Sequence, residues 1–137
     1  MNHVVEEVRL SLPHIELAAL EDAVDRLKAA ATAYDDAYAD KGARLDPARR
    51  EKLNAQLRDI DQLLLDDRGL PDRPWYKNLV YAPGRFTGYG AKTLPGVREA
   101  IEERRFADAN VYAGRTAKVL NDYAARLEQA RATIEGK

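Results

Sequence analysis

The sequence contains no cysteine. That excludes disulfides, thiolate metal sites and a cysteine nucleophile. Serine occurs once, at Ser11, outside any Gly-x-Ser-x-Gly elbow. Histidine occurs twice, at His3 and His14, with no His-Glu-x-x-His pattern. A catalytic zinc site usually draws three ligands from the protein, so this chain offers no zinc site of its own. The acid pairs Asp35-Asp36 and Asp66-Asp67 are consecutive, so on a helix their side chains point about 100° apart. Gly84, Gly88 and Gly90 lack the Lys-Ser/Thr that completes a phosphate loop. The formal net charge of −1 gives no basic stripe for nucleic acid. No apolar run approaches the roughly 20 residues of a membrane span. Residues 1–7 lack the basic start and apolar stretch of a signal peptide, so the export signal of any exported parent would lie outside this chain.

What is present is an ordinary globular balance. The 137 residues suit one domain, residues 1–12 reading as a linker or remnant, and 45% apolar with 33% charged residues can form a core. Residues 1–40 hold nine acids against three bases. They read either as an acidic first helix beside a basic remainder or as a solvated charged face. Heavy use of Ala, Arg and Asp points toward a GC-rich bacterial genome.

From His14 to Asp40, Leu17, Leu20, Val24, Leu27, Ala31, Tyr34 and Tyr38 recur at steps of three and four, one stripe of a helix about 40 Å long. Pro13 suits its first turn and Gly42 a left-handed end. A second helix starts at the Asp46 N-cap and Pro47, carries Leu53, Leu57, Ile60 and Leu64, and should stop near Asp67. A short helix over about 95–105 should bury Val97 and Ile101, with Ala100 a further candidate. A last helix over about 108–134 carries Tyr112, Thr116, Val119, Tyr123, Leu127, Ala130 and Ile134. Gly114 within it either lowers helix propensity by about 1 kcal/mol or permits a close crossing. The fold expected is all-α: four helices, bundle-like, with one long ordered loop over about 68–96.

That loop is rich in Pro, Gly and aromatic residues, unlike a disordered linker. Ordered loops of this length are usually functional. Trp75, Tyr76, Tyr81 and Pro83 are its expected docking residues, and its prolines lower the entropy of the free loop. If Trp75 is buried against the helices, Trp75→Ala should cost about 3 kcal/mol.

The run from Gly69 through Pro71, Asp72, Arg73, Pro74 and Trp75 to Tyr76, then Tyr81-Ala82-Pro83, then Leu94-Pro95-Gly96, resembles the C-terminal helical domain of the transferrin-receptor and glutamate-carboxypeptidase family. The resemblance extends from about Leu12 to Ala132. It implies a homodimer whose helical domains supply much of the subunit contact, and a separate two-zinc exopeptidase domain with an apical insertion. Zinc is then expected only in that absent domain, and no cofactor in this chain. In the glutamate carboxypeptidases the loop carries a Lys-Tyr pair that contacts the substrate's terminal glutamate. Tyr89 falls at the Tyr position and is the one substrate-wall candidate, its other reading being a docked loop aromatic. Gly88 falls at the Lys position and supplies no cation, which argues against glutamate specificity in a parent enzyme unless Arg85 or Lys92 substitutes in a rearranged loop.

The reading is thus a non-catalytic dimerisation domain that self-associates and packs on a peptidase domain, either excised or encoded alone. Leu17, Leu20, Val24, Leu27, Tyr34, Tyr38, Tyr112, Val119, Tyr123 and Leu127 are its packing and interface candidates. The alternatives are a fragment that completes the pocket of an active metallopeptidase, and an independent helical protein-binding module. No nucleic-acid partner and no membrane contact are expected.

Overall fold

The computed structural model describes residues 15–85 and 91–137. His3, Pro13 and His14 lie outside them, as do Gly88 and Tyr89. Helix α1 spans Ala18–Lys41, α2 Pro47–Arg58, α3 Pro95–Glu102 and α4 Phe106–Glu135. Short 3-10 turns, Gly42–Arg44 and Ile60–Leu64, follow α1 and α2. Strands β1 (Tyr81–Pro83) and β2 (Ala91–Thr93) pair antiparallel within the long loop, with Ala82 opposite Lys92. The fold is the expected all-α domain, with this small hairpin added.

The two long helices run parallel. Near their starts the Glu16 backbone N–H donates to Asn110 Oδ1 at 2.8 Å. Further along, Arg26 donates to both Glu128 oxygens at 3.0 and 2.9 Å. Near their ends Ala37 shares a cluster with Ala130 and Ile134. Parallel neighbours need a long crossover, which here consists of α2 running back, the loop, and α3.

The α1 stripe differs from the expected one in a consistent way. Leu20, Ala23, Ala30 and Ala37 are buried, whereas Leu17, Val24, Leu27, Ala31 and Tyr34 are half-buried and Tyr38 is 46% exposed. Opposite them, α4 buries Ala109, Ala113, Ala117, Ala124 and Ala130. Interaxial distance depends on the side chains at the contact, so small residues let these helices approach closely. The larger residues are displaced to the flank of the contact.

Several boundaries move. Helix α2 ends at Arg58, not near Asp67, and the chain continues as a 3-10 turn. Its start is as expected: the Asp46 side chain accepts from the Arg49 backbone N–H at 2.9 Å. Gly42 is not a left-handed cap, since its φ of −56° is right-handed. A Cβ there would lie 2.7 Å from the Tyr38 ring, so a larger residue would displace that ring. Gly114 permits no close crossing, because a Cβ there meets nothing within 4 Å. The tight approach is at Gly96, where a Cβ would lie 2.3 Å from Tyr112 Cδ1. In α3, Val97 and Ala100 are buried but Ile101 is exposed, and Glu99 takes the buried position instead. In α4 the whole expected stripe is buried except Tyr123, which is half-buried.

Candidate interaction surfaces

The loop is ordered by its own hydrogen bonds. Leu70 N–H donates to Tyr76 O, Tyr76 N–H to Arg73 O, and Arg73 N–H to Leu70 O, each at 3.0 Å. Gly69 turns the chain at φ +68°, and its carbonyl accepts from the Tyr112 hydroxyl at 2.9 Å. Leu70 and Leu79 are the anchors, 2% and 0% exposed. Trp75 is 67% exposed and Tyr81 57% exposed, so neither docks on the helices. The expectation for those two is corrected: apolar anchoring passes to the aliphatic residues, and the two aromatic rings face outward. Tyr76 is half-buried and packs on the core beneath Arg73, whose guanidinium lies 5.4 Å from the ring. Pro83 sits in β1 opposite Ala91, and its side-chain contacts lie outside the described features.

A chain of ion pairs fastens the loop to α3. Arg73 Nη2 donates to Glu99 Oε2 at 2.7 Å, with both side chains buried. The other Glu99 oxygen accepts the Arg85 backbone N–H at 3.0 Å. The Arg85 side chain bridges Asp72 at 2.8 Å and Glu103 at 3.3 Å. Lys92, in β2, pairs with Glu102 at 2.6 Å. Both stems of the hairpin are thus tied to acids of α3 and its C-cap. The neighbouring Arg105 and Arg85 hold the Glu103 carboxyl below its ordinary range, with the Arg105 hydrogen bond the main cause. The two cations that sequence suggested as replacements at the Gly88 position are both engaged in these pairs.

A second feature is an open trough. Helix α4 supplies the floor with Leu120, Tyr123 and Leu127. Leu27, Ala31, Tyr34 and Asp35 of α1 form one wall, and Leu57, Ile60 and Leu64 the other. Val80 also lines it. The trough has a volume of about 520 Å³, and Asp35 is the one charged residue lining it. The floor and both walls are helical or 3-10 segments. Of the expected interface residues, Leu27, Tyr34, Tyr123 and Leu127 meet here. Leu17, Leu20, Val24, Tyr112 and Val119 lie in or against the lower core, and Tyr38 stacks on Tyr34 at 6.1 Å. Sequence reasoning missed Leu70, Arg73, Leu79 and Glu99. An acid on the otherwise apolar face of a short helix was the available signal for Glu99.

Among the described residues, no group of three or more His, Cys, Asp or Glu is placed to hold a metal. No chemistry through zinc is derived from these residues.

A segment of 54 residues is 43% identical to a protein of Arabidopsis thaliana named probable glutamate carboxypeptidase LAMP1, covering 39% of this chain and 8% of that protein. A protein of Arthroderma benhamiae named probable glutamate carboxypeptidase is 42% identical over 57 residues, 42% of this chain and 8% of that protein. Vacuolar protein sorting-associated protein 70 of Saccharomyces cerevisiae is 38% identical over 53 residues, 39% of this chain and 6% of its own. The matches thus span under a tenth of these relatives' lengths. The sequence profile described as transferrin receptor-like dimerisation domain matches residues 15–128. With parallel long helices, a clasped loop and an unfilled trough in a chain matched over most of its length, this protein belongs to the transferrin receptor-like dimerisation domain family.

Proposed function

We propose that this domain pairs with a second copy of itself and packs against a peptidase domain that carries the zinc and the catalysis. The observation that carries the reading is the open apolar trough, in a chain whose family is described by dimerisation. Apolar helix faces left uncovered in this way mark interaction sites. The exposed Trp75, Tyr81 and Leu65 support a second contact, on the loop side, suited to a peptidase domain. The relatives named as glutamate carboxypeptidases support that partner. Tyr89 as part of a substrate wall belongs to the same proposal.

The test is the mass of the purified chain by sedimentation across a range of concentrations. A dimer, twice the 15.4 kDa chain, that persists on dilution supports autonomous pairing. A monomer throughout overturns it.

A further inference from the structure

Among the described residues the trough stays open between α1 on one side and α2 with its 3-10 turn on the other. Its lower end adjoins the place where the described chain begins. Leu17 packs on the lower core cluster, and so do Leu27, Leu64 and Val80, which line the trough. Ahead of Ile15 stand 14 residues of the sequence. Counted from Ala18, where α1 starts, Leu27 lies about 14 Å and Asp35 about 26 Å along the helix axis. Fourteen residues span about 21 Å as a helix and up to about 46 Å when extended, so they reach the trough in either state.

The sequence of that segment carries a face suited to an apolar trough. At about 100° per residue, Met1, Val4, Val5, Val8 and Leu12 fall on one arc about 100° wide, and His3, Glu6, Glu7 and Arg9 fall outside it. Proline at position 13 disfavours helical backbone at Leu12. Since α1 starts only at Ala18, the residues between leave room for the chain to reverse direction. We propose that residues 1–12 dock this Val-rich face in the trough of their own chain, running back along α1. A segment held by so short a tether has an effective concentration of millimolar order at the trough, which a second copy in dilute solution does not match. This goes beyond the pairing proposed above and sets it a condition. A face covered in this way pairs only in the fraction of molecules whose segment has left it.

Cross-linking and dye binding test this on the full chain. Since the chain has no cysteine, introduced cysteine pairs report contacts cleanly. In a glutathione redox buffer, Ala31→Cys combined with Val4→Cys, Val5→Cys or Val8→Cys should close a disulfide within one chain in at least one of the three variants. Ala31 lines the trough, whereas Ala29 is exposed on another face of α1, so the same partners with Ala29→Cys should not close. Val8→Asp should raise the fluorescence of 1-anilinonaphthalene-8-sulfonate, which reports exposed apolar surface, and His3→Asp should not. Links that form only between chains would show that a second copy reaches the trough, and would overturn the proposal. Equal linking to Ala29 and Ala31, or no link to Ala31, would place the segment elsewhere and overturn it too. So would a dye signal indifferent to Val8→Asp. Sedimentation of the unmodified chain judges self-association separately, so either proposal can fail while the other stands. Far-ultraviolet circular dichroism of each variant confirms that the helices are retained.

Discussion

Arg73 and Glu99, 26 residues apart, form a buried ion pair at 2.7 Å that ties the loop to α3. Removing one partner of such a pair leaves an uncompensated charge away from water, at a cost of about 3–5 kcal/mol. Glu99→Ala should therefore destabilise the domain by that amount in urea unfolding. Glu99→Gln, which keeps an acceptor for the Arg85 N–H, should lose less. Equal losses would show that the missing charge, not packing or the acceptor, sets the cost.

Gly96 and Gly114 make opposite predictions for the same substitution. Gly96→Ala drives a Cβ to within 2.3 Å of the Tyr112 ring, which is held by its hydroxyl bond to Gly69. Overpacking of this kind costs about 1–3 kcal/mol. Gly114→Ala meets open space inside α4 and should stabilise by about 0.5–1 kcal/mol. Thermal unfolding of the two variants separates them by sign.

Trp75→Ala should change the stability of the isolated chain by less than about 0.5 kcal/mol, since surface substitutions away from buried features have small effects. The chain has one tryptophan, so its fluorescence reports this position alone. Emission should be that of a solvated indole, and should shift to the blue on addition of a peptidase domain that covers the loop. A buried spectrum in the isolated chain would contradict the exposure described.

Acid should weaken the fold through Asp66. Its carboxyl is held at about 2, below the ordinary 3.8, mainly by hydrogen bonds from the Arg68 side chain. A depressed folded-state value stabilises in full above the unfolded value and is lost as pH falls through the folded one. The contribution should therefore decline from about pH 4 to about pH 2. Glu103, Glu128 and Glu135 are lowered too, each chiefly by an arginine hydrogen bond, and act in the same direction. In urea titrations between pH 5 and 2, Asp66→Asn should flatten part of this slope. An unchanged slope would remove Asp66 as a cause.

Periodicity made α4 and the course of α1 legible, because a helix face repeats every three to four residues and a packed face must be apolar. The Asp46-Pro47 start was legible for the same local reason: capping is decided within one turn. The Pro, Gly and aromatic spacing of the loop carried the family, since chain geometry demands those residues one by one. Which stripe of α1 lies deepest was decided only by the parallel partner helix, whose alanines set the closest approach. Trp75 and Tyr81 have the composition of anchors, yet Leu70, next to the Gly69 turn, and Leu79, whose N–H donates to Leu64 O, took the core. The buried Arg73–Glu99 pair joins segments that no local pattern relates. The trough exists because α1 and α2 both rest on α4 without closing over it, and that is a property of three helices together, which the sequence of any one of them does not contain.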